Sequence, residues 1–120
     1  MSKSSELKSI MANCYGTENY YRYLNFTKFL YTDGVKTFCE HAQACWFLDL
    51  VFASVDEIKT DDWLLSVKLN VKDEKGVLTF KDGNGTIVKS VDINYTDCPE
   101  GEWLFYYYVE DHILIWSDEY

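Results

Sequence analysis

An α+β domain is what this sequence predicts, with N-terminal helices packed on one face of an antiparallel meander sheet of about five to six strands. Two observations carry the prediction. Over about residues 4–16 and 35–55 the apolar residues recur at helical spacing, and in the second half they alternate with a period of two. The connections in the second half are short and rich in Asp, Asn and Gly, which makes sequential strands antiparallel neighbours. At 120 residues, 48% of them hydrophobic, the chain reads as a single domain, 1–120, with enough apolar surface for a real core.

Each element has its own signal. Ser4 or Ser5 can cap a first helix, whose apolar face is Leu7, Ile10, Met11 and Cys14, and Gly16 ends it. The stretch 17–25 is polar and aromatic without a period and reads as a loop, leading to a short strand near 28–31. Thr32-Asp33-Gly34 breaks that strand, and Asp33 is placed to cap a helix from Val35. That helix runs to Val55 with a break near Gln43, and Trp46 heads one of two adjoining apolar stripes. Leu65, Val67, Leu69 and Val71 then alternate with polar residues, a half-buried strand. Turns at 73–76, 82–85, 97–101 and 110–111 separate the strands that follow, over 77–81, 86–95, 103–109 and 112–116.

Charge is unevenly spread. Residues 61–120 hold five lysines against thirteen acids, so nearly all of the net charge of −9 lies there. After Thr96 there are seven acids and no Lys or Arg. A phosphate-binding surface needs the opposite sign, so direct nucleic-acid binding is not expected, whereas a basic protein partner suits this field. There is no 18-residue apolar run and no charged-then-apolar leader, so neither membrane insertion nor secretion is expected and the chain reads as cytoplasmic. Its four cysteines are then thiols rather than bridges.

Candidate chemistry is thin. Cys39, His41 and Cys45 invite a metal reading, but structural zinc needs four ligands, and residues two apart on a helix project from different faces. A cysteine nucleophile with His112 and Asp111 has no Gly-rich nucleophile turn to support it. The adjacent carboxylates at 61–62, 73–74, 110–111 and 118–119 fall in solvated turns or at the terminus, the reverse of a pocket that raises a pKa. Asp82-Gly-Asn-Gly85 lacks both the lysine of a P-loop and the ligands of a calcium loop, and a hairpin turn accounts for it. The expectation is a non-enzyme with no catalytic residue, metal or cofactor.

What remains is a contact surface. Aromatics are 18% of the chain, well above ordinary usage, and rings are favoured at interfaces. The strand over 103–109 is apolar on both faces, and its neighbour over 112–116 behaves the same way. Such a strand has either a covered second face or an exposed one that binds. The expected partner-binding residues are Trp103, Phe105, Tyr107 and Trp116, bordered by Asp97, Glu100, Glu102, Glu110 and Asp111.

Several segments also occur in a recognisable order: Gly16-Thr-Glu-Asn-Tyr-Tyr21, Tyr31-Thr-Asp-Gly-Val-Lys36, Cys45-Trp-Phe-Leu-Asp-Leu-Val51, Asp82-Gly-Asn-Gly85, Tyr95-Thr-Asp-Cys-Pro99 and Trp116-Ser-Asp-Glu-Tyr120. As a set they resemble a family of short, uncharacterised phage- and plasmid-borne bacterial proteins, over nearly the whole chain. The resemblance transfers no catalytic residue. It implies a small protein of a mobile element in a bacterial host. On that footing the expected role is a stoichiometric inhibitor of a host defence enzyme that handles nucleic acid, of the anti-CRISPR or anti-restriction type. The competing expectation is a homodimeric accessory or small-molecule-binding domain.

Overall fold

The computed structural model describes residues 3–14, 16, 19–24, 27–42 and 44–120. Three helices, α1 (Lys3–Met11), α2 (Asp33–His41) and α3 (Trp46–Glu57), come from the first half of the chain. Two three-residue strands, β1 (Tyr20–Arg22) and β2 (Leu30–Thr32), separate α1 from α2. The second half supplies β3 (Leu64–Lys72), β4 (Lys75–Lys81), β5 (Ile87–Ile93), β6 (Gly101–Tyr108) and β7 (Ile113–Trp116), then a 3-10 turn at Ser117–Glu119.

The α+β class holds, but the sheet is neither a pure meander nor limited to six strands. Seven strands lie in the order β1-β2-β7-β6-β3-β4-β5, and β2 runs parallel to β7. Only β3, β4 and β5 form a continuous meander. The loop after β5 then carries the chain back past β4 and β3, so that β6 pairs along the other side of β3, from Val71 opposite Gly101 to Leu64 opposite Tyr108. Thr96 N–H donates to the Glu74 carbonyl at 2.8 Å and Asp73 N–H to a Glu100 carboxylate oxygen at 3.2 Å, tying this loop to the β3–β4 turn. In that turn Asp73 and Glu74 both take positive φ, the geometry a two-residue hairpin with right-handed strand twist requires.

The helices cover one face of the sheet. Leu65, Val67, Leu69 and Val71 of β3 alternate inward, and Leu78 and Phe80 of β4 join them. Rings dominate the centre. Phe38 of α2 lies 5.4 Å from Phe47 of α3 and 5.0 Å from Phe105 of β6, centroid to centroid, and Phe105 also meets Trp116 at 5.2 Å. Full burial of a Phe is worth about 1.5–3 kcal/mol of transfer free energy, so this cluster is a main source of stability.

Two local expectations need correction. The Asp33 carboxylate does not cap α2; the N-cap residue is Thr32, without a side-chain cap bond of its own. Instead the Glu119 carboxylate, from the far end of the chain, accepts from Gly34 N–H at 3.2 Å and from the Thr32 hydroxyl at 2.6 Å. A negative group there satisfies free amides and complements the helix dipole. The break expected near Gln43 is present as a gap between His41 and Trp46 that makes two helices; Gln43 itself lies outside the described residues. Trp46 is only half-buried, at the edge of α3, and the fully buried ring at its start is Phe47.

Candidate functional site

The structure divides the expected contact residues. Trp103, Phe105, Tyr107 and Trp116 all point to the helix-covered face and are buried, Phe105 completely. The Trp103 indole donates to the Pro99 carbonyl at 3.1 Å, and the Tyr107 hydroxyl sits 3.2 Å from His112 Nδ1. These four rings build the core and cannot meet a partner while the chain is folded. Alternation along β6 was apolar on both sides, so the pattern did not say which side the helices would take.

The acids are exposed but parted. Asp97 and Glu100 sit in the β5–β6 loop, where with Asp73 and Glu74 they line an open concavity of about 510 Å³. Glu110 and Asp111 lie in the β6–β7 turn, at the opposite end of the eight-residue β6. At about 3.4 Å per residue, roughly 24 Å separates the two groups. Glu102 lies between them, on the side of the sheet away from the helices, and pairs with Lys68 at 3.8 Å.

That side is left bare by the helices, and it carries rings that the expectation passed over. Tyr106 and Tyr108 point out of it from β6. Tyr108 stacks on Trp63 at 6.0 Å and on Tyr120 at 6.4 Å, and Tyr120 also meets Tyr106 at 5.1 Å. The result is a row, Trp63–Tyr108–Tyr120–Tyr106, in which Trp63 and Tyr120 are 59% and 64% exposed. Tyr120 joins the row from the end of the 3-10 turn that follows β7, its N–H donating to the Ser117 carbonyl. The Tyr108 hydroxyl is pushed above its ordinary range, chiefly by burial and then by the charges of Tyr120, Tyr20 and Asp111. Val109 N–H donates to the Trp63 carbonyl at 3.0 Å. That bond lays the segment Asp61-Asp62-Trp63 beside Val109-Glu110-Asp111, so acids gather at one end of the ring row. Asp62 is partly engaged, accepting from Gly83 N–H at 2.9 Å.

This row was readable in part. Leu104, Tyr106 and Tyr108 share one parity on β6, but Trp63 and Tyr120 come from elsewhere in the chain and join it only through tertiary folding.

The thiols and histidines tell a different story. Burial pushes the Cys39 and Cys98 thiols up to about 12, so both stay protonated at neutral pH, when the thiolate is the reactive form. Cys45 and His41 are exposed on either side of the helix break. Among the described residues no three His, Cys, Asp or Glu side chains converge as a metal site would need. No helix among them is long and apolar enough to cross a membrane.

A family model for a family of unknown function, DUF6876, matches residues 5–120. The chain belongs to the DUF6876 family. No curated protein and no solved structure matches it. Membership in DUF6876 brings no assigned activity, so the function of this member has to be argued from its own surfaces.

Proposed function

We propose that this chain is a small non-catalytic protein-binding module that docks through the ring row on the uncovered side of its sheet. The observation that carries the reading is the contiguous series of rings Trp63, Tyr108, Tyr120 and Tyr106 on the uncovered side, with Trp63 and Tyr120 well exposed. Trp and Tyr bury much area at low entropic cost, and hot spots at protein interfaces are enriched in both. The acids beside Trp63 and Tyr108 give the partner a sign. A basic surface is attracted to them, and the lysine-poor stretch after Thr96 adds to that field.

The finer reading keeps the partner class suggested by the resemblance. The partner is a bacterial host enzyme whose basic surface ordinarily holds nucleic acid, and the chain is its phage- or mobile-element-borne inhibitor, acting in the cytoplasm. Negative charge would compete for the phosphate-binding surface while the rings supply buried area. Direct binding of nucleic acid to this acidic chain is not part of the reading.

Co-purification of the chain from a bacterial host, followed by mass spectrometry of what is retained, tests this. The expected result is a nucleic-acid-handling protein retained at low salt and largely lost at high salt, because screening shortens electrostatic reach to about 8 Å at physiological ionic strength and less above it. Retention that ignores salt would remove the electrostatic half of the proposal. A chain that light scattering finds to be a dimer, with the ring row at its own interface, would favour the accessory homodimer instead.

A further inference from the structure

A second surface lies at the other end of the sheet. β5 is an edge strand: it pairs with β4 on one side, and no described element pairs with the other. An unpaired edge is a row of free N–H and C=O groups ready to accept another strand. The edge is also seven residues long, with no proline and no covering loop described. The β4–β5 register shifts between Phe80 and Lys81, which leaves Lys89–Ile93 as the regularly paired part.

Alongside this edge runs a groove of about 500 Å³ between β5 and α3. One wall is Trp46, Leu50 and Ala53; the other is Val91, Ile93 and Tyr95. Val91 and Ile93 face the groove because they stand opposite Leu78 and Gly76 in register, on the helix side of the sheet. Gly76 matters here: a Cβ on it would sit 3.3 Å from Ile93 Cδ1, so the bare backbone lets the Ile93 side chain pack down and keeps the groove open. Free strand edge and adjoining apolar groove together are the two parts of a β-augmentation site. Main-chain bonds hold an added strand, and the groove takes every second side chain.

Charge decides between occupants. Asp49, whose carboxylate accepts from the Tyr23 hydroxyl, and Asp92 line the groove and Asp97 accepts from the Tyr95 hydroxyl at its end, while Lys89 of β5 is paired with Glu57. A second copy would bring Asp49 and Asp92 towards their own counterparts and one charge of −9 against another. A strand carrying Lys or Arg between its apolar residues meets attraction at the same places. We propose that the β5 edge and the α3 groove bind an extended segment of a partner protein that alternates apolar residues with basic ones, adding it as an eighth strand.

The test is selection from a displayed library of random twelve-residue peptides on the full chain, with the enriched peptides then synthesised. The expected winners hold two or three apolar residues at alternate positions with Lys or Arg between or beside them. Their binding should slow amide exchange at Lys89–Ile93. Ala53→Arg, at an exposed position that leaves the core untouched, should weaken them at least tenfold by filling the groove and repelling their charge. Tyr108→Lys, on the ring row, should leave them unaffected, which separates this site from the one proposed above. Enriched peptides without the alternating basic pattern, equal binding to the Ala53→Arg chain, or exchange protection elsewhere would each overturn the proposal. So would slow exchange at Lys89–Ile93 in a dimer without peptide, because the second copy would then be the occupant.

Discussion

Phe105→Ala is expected to unfold the domain, or to leave it so weakly stable that it melts in low denaturant. Phe105 is fully buried, with Phe38, Phe47 and Trp116 all within 5.2 Å of its ring centroid. Removing a ring from such a site costs the lost transfer free energy plus the cavity left behind, roughly 3–5 kcal/mol. Domains of this size are stable by only about 5–15 kcal/mol, so the change consumes much of the margin. The neighbouring Tyr106→Ala is the matched control. Tyr106 points to the uncovered side, and its loss is expected to cost about 1 kcal/mol. Urea unfolding of both variants checks the pair, and similar midpoints would mean that the two faces of β6 have been assigned wrongly.

Gly34→Ala is expected to be nearly as damaging, through a different mechanism. An added Cβ would lie 2.4 Å from a Glu119 carboxylate oxygen and 2.8 Å from Trp116 Cβ. The carboxylate could swing aside, but the Trp116 Cβ is fixed to the backbone at the end of β7 and cannot. Moving the carboxylate also has a cost. It accepts from the Thr32 hydroxyl, from Gly34 N–H and from Trp116 N–H at 2.9 Å, and Thr32 is fully buried. Overpacking together with a stranded buried hydroxyl amounts to about 2–4 kcal/mol. Thermal unfolding would register this as a large drop in Tm. Glu119→Gln, which keeps the acceptor oxygen and the space, should lose distinctly less. Equal losses would place the damage in the charge rather than in the close approach at Gly34.

These two positions also show what could be read from the chain alone. The alternation of Leu65, Val67, Leu69 and Val71 against Ser66, Lys68 and Asn70 reports a strand with one covered face, and β3 is that strand. The turns at 73–76 and 82–85 are local chemistry and were equally legible. The edge strand β1, inside the stretch expected to be a loop, was not, because three residues are too few to display a period, and the parallel pairing of β2 with β7 joins segments more than eighty residues apart. Glu119 at the start of α2 is the same kind of long-range event: nothing near Gly34 announces it, and Asp33 offered a plausible local substitute.

The rings of the expected surface were misplaced for a different reason. β6 is apolar on both sides, and with no polar face to mark solvent the choice between Trp103, Phe105 and Tyr107 on one side and Leu104, Tyr106 and Tyr108 on the other rests on where the helices dock. A strand's period is two, so choosing the wrong parity put three core rings of β6, Trp103, Phe105 and Tyr107, on the expected surface. Of the acids, Glu110 and Asp111 keep a place beside the rings, while Asp97 and Glu100 belong to the far end of the sheet.

The uncovered ring row as the docking surface is the claim on which the functional account rests. It is tested most directly by comparing what co-purifies with the native chain, with a Trp63→Lys/Tyr108→Lys double variant, and with Glu100→Lys at the opposite end of β6. The account predicts that the double variant folds normally by circular dichroism yet loses the retained protein, while Glu100→Lys keeps it. A folded double variant that retains the same protein at native yield would contradict the account.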